Sequence, residues 1–368
     1  MKVLMVVKSF RYGGTEQFLI NVFENWKNKN IQFDVLTLFE YKDDWLTSKL
    51  GNLGVGYSTL NLGQCSIIKR QFKHYKELYN VLKNSSYDVI HFHPNSFTRI
   101  LDLAIAKAAG INKRIVHSHF AGMNSGLSAM VRPLRFMFDL FATDFCACSD
   151  EAAKYMFSRK RVSDGKYHVV INGVNVGKYA YSDEQRRKVR KECEIDEETL
   201  VIGHIGRLVE EKNHSFILDV FKEIHKLNID SKLLLVGEGK LRTEIEAQIK
   251  ELRVDNDVIM YGASPEVGAL LSAMDVFMFP SWHEGLGFAV IEAQCNGLPC
   301  YVSEHIPNDA CITSNVHKLN ISYGARYWAE RILEYHKRVD ETHKIAEAGY
   351  DINTTIRQLE GLYIDSRS

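Results

Sequence analysis

The sequence predicts an α/β protein built of two doubly wound parallel sheets, one in each half. Three observations lead there. Apolar runs of strand length alternate with amphipathic helical stretches through both halves, a glycine-marked turn follows the leading strand of each half, and 368 residues are enough for two domains that each bury a core. In open sheets of this kind, ligands sit beyond the carboxyl ends of the strands, so two facing sheets are expected to make a cleft. The expected domains are 1–171 and 172–350, with a closing segment over 351–368.

The first strand, residues 3–7, runs into Gly13, Gly14, Thr15 and Glu16 and then an apolar-periodic helix over 18–26. The two glycines remove Cβ atoms that would keep a ligand off the backbone, and Thr15 suits a helix cap. A glycine turn here also arises for steric reasons alone, and the third glycine of a dinucleotide fingerprint is missing. Further strands are expected over 33–38, 88–92, 114–117, 145–148 and 167–171. His91 and His93 close one of them, and there a satisfied scaffold histidine is expected. His117 and His119 close the next, where an imidazole can orient a sugar and meet developing positive charge. Alternate strand positions face the same way, so a structural pair or a metal pair competes with that reading. Without a third ligand nearby in sequence, no metal is expected.

In the second half, strands are expected over 200–205, 232–236, 257–261, 276–279 and 299–302, separated by helices such as 216–227 and 241–252. The loop from Gly203 to Asn213 carries Arg207 and Lys212. A guanidinium that binds oxygens bidentately and an ammonium on a flexible stem suit a leaving nucleoside diphosphate, with no need of magnesium. Either residue alone reads as a surface cation. Leu233 to Gly239 reads as a strand ending in a glycine turn at Gly237 and Glu238, and the main chain of Tyr261, Gly262 and Ala263 can read a base edge.

Residues 280–299, PSWHEGLGFAVIEAQCNGLP, set Glu284 and Glu292 eight positions apart across a glycine turn and an apolar run. Free N–H groups of a helix opening near Leu286 would face a phosphate. If all eight positions were helical, the rise would part the two acids by roughly 12 Å, beyond the roughly 5–9.5 Å of a glycosidase pair. Two different roles are therefore expected. A dipole-favoured Glu284 and a surface Glu292 would account for either acid alone, but not for Gly285 and Gly287 ahead of an apolar helix.

The net charge of zero conceals a split: residues 1–170 hold 23 Lys/Arg against 14 Asp/Glu, and residues 171–368 hold 23 against 32. Clusters at Lys69, Arg70, Lys73 and Lys76, at Arg132 and Arg135, and at Arg159, Lys160 and Arg161 suit an anionic membrane surface, although any one of them reads equally as a solvated helix face. No nucleic-acid partner is expected. Seven cysteines without paired spacing predict the reduced state. No apolar run reaches 18 residues and no signal-peptide pattern opens the chain, which predicts a cytoplasmic protein on the inner face of the membrane.

With its Glu, seven residues, Glu spacing and its Gly-Leu-Gly-Phe insert, the run from Pro280 to Pro299 resembles the donor-site motif of retaining glycosyltransferases of the GT-B fold, family four (glycosyltransferase group 1), among which are bacterial capsule and exopolysaccharide enzymes. The likeness extends from Gly13 to Pro307. It implies that Glu284 holds donor-sugar hydroxyls and Glu292 the ribose, while Gly206, Arg207 and Lys212 hold the diphosphate with backbone groups of Gly285, Leu286, Gly287 and Phe288. Gly13 and Gly14 would lie beside the donor phosphate and the acceptor, Gly237 and the Tyr261–Ala263 main chain beside the nucleotide. Aligning the family's strand-end histidine gives His119 as the catalytic histidine, with His117 as the alternative. Asn175 stands where the family carries an acid, which puts an ionic hinge role in doubt. The implied reaction moves a sugar from a nucleotide sugar, a UDP-sugar above all, to a hydroxyl of a lipid-linked glycan, with no cofactor. A UDP-sugar epimerase or hydrolase, or a non-catalytic accessory subunit of the same fold, are the alternatives.

Overall fold

A computed structural model describes residues 1–10, 14–39, 44–60, 62, 67–94, 99–119, 132–227, 229–334 and 337–364. The chain divides into two units, Met1–Gly173 with Ile352–Ser368, and Val174–Asp351. Each unit is built on one parallel sheet, the fold class expected.

In the first unit, strands β1 (Lys2–Val7), β2 (Gln32–Thr37), β3 (Gly56–Thr59), β4 (Val89–Phe92), β5 (Lys113–Ser118), β6 (Asp144–Ala147) and β7 (His168–Val169) lie in the order β3-β2-β1-β4-β5-β6-β7. Every pairing is parallel. Val3 to Val7 are all buried, because helices cover both faces and a strand so placed is apolar at every position instead of alternating. The helix Ile352–Ile364 belongs to this unit: Ile352, Ile356, Leu359, Leu362 and Tyr363 join Val3, Met5, Val7 and Phe18 in one apolar cluster. Helix Gly14–Asn25 takes in Thr15 as its second residue, so Thr15 is not the cap that its position after the glycines suggested. Gly13 lies outside the described residues.

The second unit has β8 (Leu200–Ile205), β9 (Ser231–Val236), β10 (Val258–Gly262), β11 (Val276–Phe279), β12 (Cys300–Ser303) and β13 (Val316–Leu319), ordered β10-β9-β8-β11-β12-β13 and parallel throughout. Its core packs Ile202, Phe221, Leu235 and Trp328 between sheet and helices. β3 and β13 were not expected from the sequence. Both are four-residue edge strands, and their segments, GYST and VHKL, lack the apolar run that marks an interior strand.

Candidate active site

In the second unit the strand order reverses between β8 and β11, which pair side by side. Chains leaving the two strands run to opposite faces of the sheet and open a crevice between them. Arg207 and Lys212 follow β8, and Glu284 follows β11. The loop bearing the two cations is laced to its neighbours through its main chain. Gly206 N–H donates to the Val236 carbonyl (2.9 Å), Leu208 N–H to that of Glu238 (3.0 Å), and Trp282 N–H to that of Glu211 (2.8 Å). Asn213, in the left-handed region with φ 57, ends the short turn Glu210–Lys212, opens helix His214–His225 and donates its amide to the Pro280 carbonyl at 3.2 Å. Gly237 has φ +142, and a Cβ there would stand 1.9 Å from the Gly206 carbonyl oxygen, so only glycine lets the two loops approach so closely.

This lacing sets Lys212 opposite Glu284. Their Nζ and Oε1 are 2.5 Å apart, with side chains only 14% and 12% exposed, and the ammonium also lies 4.5 Å from the centre of the Phe279 ring. Arg207 is exposed, and although its carbonyl accepts from Val209 N–H (2.9 Å), its guanidinium makes no hydrogen bond or ion pair among the described residues. The loop therefore presents one uncommitted guanidinium and one ammonium neutralised by the acid expected on the sugar. His204, a residue with no expected role, donates Nδ1–H to the Met278 carbonyl at 2.9 Å, which leaves a buried Nε2 without a partner among the described residues. Burial holds this imidazole well below its ordinary pKa, and it is neutral.

The helix after the glycine turn is Phe288–Cys295, with Gly287 at φ +86 ahead of it, two residues later than the expected start near Leu286. Glu284 is thus in the loop, and the roughly 12 Å separation expected for a continuous helix does not apply. Glu292 is 7% exposed and not a surface residue. Burial raises its carboxyl to about 6, although a hydrogen bond from Tyr179 and the charge of Lys178 act the other way. Glu238 pairs with Arg242 at 2.7 Å, and the Gly262 carbonyl accepts from Gly237 N–H, which leaves fewer free groups around that turn than the sequence suggested. A cavity of 530 Å³ beside the same loop is lined by Glu211, Asn213, His214, Gln248 and Trp282 but by neither Lys212 nor Glu284.

Four histidines of the first unit, His91, His93, His117 and His119, cluster at the carboxyl ends of β4 and β5. His91 contacts the Tyr363 hydroxyl through Nδ1 (2.8 Å), His93 Nδ1 meets His119 Nε2 (2.8 Å), and His119 Nδ1 meets Asn172 Oδ1 (3.0 Å). His117 is fully buried, whereas His119 is partly exposed. His93 is not a separate scaffold residue, since it bonds directly to His119. Ring nitrogens of His91, His93 and His117 lie within 4.8 Å of one another, so a third potential ligand is present after all. The planes, however, are only 26°, 11° and 36° apart in the three pairings. Lone pairs in nearly parallel planes do not converge on one ion, and the arrangement is a stack, not a preformed tetrahedral centre.

Two predictions follow from the donor-side geometry. Lys212→Ala and Glu284→Gln are expected to couple in a double-mutant cycle of unfolding free energy by about 0.5–3 kcal/mol; additive effects would mean that the pair is not formed. Glu292 is expected to oppose folding at neutral pH. Its folded pKa is raised, so stability falls as pH rises from 4.5 to about 6 and is regained on acidification. Glu292→Gln should then be more stable than the natural protein at pH 7.5 by on the order of 1 kcal/mol, with the gain vanishing at about pH 4.5 in thermal melts; a loss of stability at pH 7.5 refutes this.

Residues 12–178 match the model of Glycosyltransferase Family 4, and residues 185–352 that of Glycosyl transferases group 1. The chain is 28% identical to the EpsF protein of Bacillus subtilis over 98% of its own length and 96% of that protein. It is also 28% identical to the UDP-Gal:alpha-D-GlcNAc-diphosphoundecaprenol alpha-1,3-galactosyltransferase of Escherichia coli, over 82% of this chain and 81% of that one. Among solved structures, HepE of Anabaena in complex with UDP and glucose has the same fold, with a TM-score of 0.79 at 17% identity over 99% of this chain and 100% of that one. With one glycosyltransferase model matched in each half and a shared fold from end to end, the chain belongs to the glycosyltransferases of the GT-B fold, family four and group 1, of the capsule and exopolysaccharide type.

Proposed function

We propose that this protein is a retaining, metal-independent glycosyltransferase that carries a sugar from a UDP-sugar to a hydroxyl of a lipid-linked glycan at the inner face of an anionic membrane. The observation that carries the reading is the loop after β8, where the Arg207 guanidinium has no partner among the described residues and Lys212 is paired to Glu284. An entering diphosphate binds Arg207 through two oxygens and competes for Lys212. Glu284, released from its cation, turns to the sugar hydroxyls, and Glu292 accepts from the ribose. The bond from the sugar to the phosphate oxygen breaks, the acceptor oxygen bonds on the same face, and the leaving phosphate takes the acceptor proton. The protein's part is to position the partners and stabilise the charge that develops on the leaving group. Support for the donor comes from HepE, crystallised with UDP and glucose and with UDP-glucose, and support for the acceptor from the E. coli relative, named for a diphosphoundecaprenol-linked sugar.

Support for the membrane comes from the first unit's surface. Helix Ile67–Lys83 exposes Phe72 at 73% beside Lys69, Arg70 and Lys76. It packs on helix Ile100–Ala108, which packs on Phe138–Phe141, and this contiguous run of elements also exposes Leu101, Leu134, Phe136 and Leu140. Exposed apolar side chains among cations suit shallow insertion into an anionic bilayer. Some of the cations are committed elsewhere: Arg70 lies over Phe39, and Arg161 pairs with Asp139.

Two experiments test the reading. Arg207→Ala is expected to lower the rate of transfer from UDP-sugars to a crude lipid extract by about 10²-fold while the fold survives, and EDTA is expected to leave the natural rate unchanged. A near-natural rate in the variant removes Arg207 from the site, strict dependence on a divalent ion refutes metal independence, and release of free sugar without a transfer product favours a hydrolase. In flotation with phosphatidylglycerol vesicles, the protein is expected to rise with the lipid at low salt and to be released at high salt, because cations near the surface contribute about 1 kcal/mol each and salt screens them. A variant with Lys69, Arg70, Lys73 and Lys76 changed to Glu should stay in solution; if the natural protein also does so at low salt, a soluble acceptor replaces the membrane-bound one.

A further inference from the structure

The contacts of His119 determine its protonation pattern. A neutral imidazole carries one N–H donor and one lone pair, and His119 is neutral, since burial takes it down to about 4 even though the hydrogen bond to Asn172 acts in the other direction. The Asn172 oxygen at 3.0 Å only accepts, so His119 Nδ1 bears the hydrogen. Its Nε2 is then a lone pair, and the contact of 2.8 Å requires His93 Nδ1–H to donate to it. His93 is held neutral in its turn by burial and by His91 and His119, and its remaining lone pair, on Nε2, is buried without a partner. Both nitrogens of His119 are thus occupied, and neither is left to give or take a proton at an incoming sugar. The ring is also held from its faces, with Phe18 at 4.8 Å and His117 stacked at 4.0 Å.

Asn172 is itself fixed by its place in the chain. On its two sides, the Ile171 carbonyl accepts from Thr355 Oγ1 (2.7 Å), Gly173 N–H donates to the same oxygen (3.1 Å), and the Gly173 carbonyl accepts from Asn21 Nδ2 (3.2 Å). Asn172, Asn21 and Thr355 are all nearly inaccessible. The residues that lead out of the first unit, Ile171 to Gly173, therefore form a rigid mount for the amide that orients His119.

We propose that His93 and Asn172 are positioning residues that hold His119 in one neutral tautomer, Nδ1–H toward Asn172 and Nε2 toward His93, so that His119 serves the reacting centre as a fixed dipole and not as a proton carrier. This rests on the reading that His119 faces the donor. The test is ¹⁵N spectroscopy of the full chain labelled at histidine, with the His119 signals assigned by their loss in His119→Asn. The expected spectrum at pH 7.5 shows His119 as the Nδ1–H tautomer. Asn172→Asp, whose carboxylate only accepts, should preserve it, while Asn172→Ala and His93→Ala should give a mixture. His93→Asn, which offers an amide N–H to Nε2, should restore a single form. An Nε2–H tautomer in the natural protein, or His119 signals indifferent to His93→Ala, overturns the proposal. In the transfer assay, His93→Ala is expected to lower kcat by about 10²-fold, with the donor KM changed less than about threefold and with recovery in His93→Asn. If the spectra come out as expected while His119→Asn transfers at the natural rate, the placement of His119 at the reacting centre fails and the clamp stands.

Discussion

Lys212 and Glu284 meet because β8 and β11 run side by side at the point where the second sheet changes direction. Neither residue is placed by its own helix or strand. Lys212 sits in a single turn ended by Asn213 in the left-handed region, and Glu284 in a glycine loop ahead of helix Phe288–Cys295. What aligns them is main-chain bonding between the loops, through Trp282 to Glu211 and Asn213 to Pro280, together with the close approach that Gly237 allows at Gly206. An ion pair mounted on such loops is oriented before any ligand arrives, and in the proposed reaction a diphosphate that takes Lys212 would free the Glu284 carboxylate in place.

The two glutamates of the motif differ in how the fold treats their charge. Glu284 has the Lys212 ammonium within hydrogen-bonding distance. Glu292 lies on a helix whose residues Val290 to Cys295 are all buried, and it meets a hydroxyl from Tyr179 and the more distant charge of Lys178. The penalty of burial dominates there. A carboxylate kept in such a setting is ready to accept hydrogen bonds from hydroxyl groups that it does not meet within its own chain, and the cost falls on stability at neutral pH.

Much of this was legible in the sequence. Interior strands announced themselves because helices on both sides favour unbroken apolar runs, as in Val3–Val7 of β1 and in β11. The edge strands β3 and β13 did not, since half-exposed segments such as GYST and VHKL carry no such run. The candidate site residues Arg207, Lys212, Glu284 and Glu292 were legible as residue types in a spacing, but their mutual relations were not. Spacing along the chain says nothing of a pair 72 residues apart. His93 was read as scaffold for the same reason: its bond to His119 spans 26 residues and depends on the parallel register of β4 against β5.

That register also explains why four imidazoles share one region. His91 lies opposite Ile115, so the alternation of strand side chains brings His93 and His117 to the same level and face, with His119 one step beyond. A core built for stability alone would fill these positions with apolar side chains, as the neighbouring β1 does. Instead, nitrogens of His91, His93 and His117 are buried without partners among the described residues, each at a cost on the order of 1–3 kcal/mol. Protonation does not relieve that cost, since burial and the neighbouring imidazoles push His91, His93 and His117 well below the ordinary histidine range. Where a fold keeps polar groups against its own stability, the constraint comes from what they hold in place, and here the column of neutral rings ends on His119, the one member that is partly exposed.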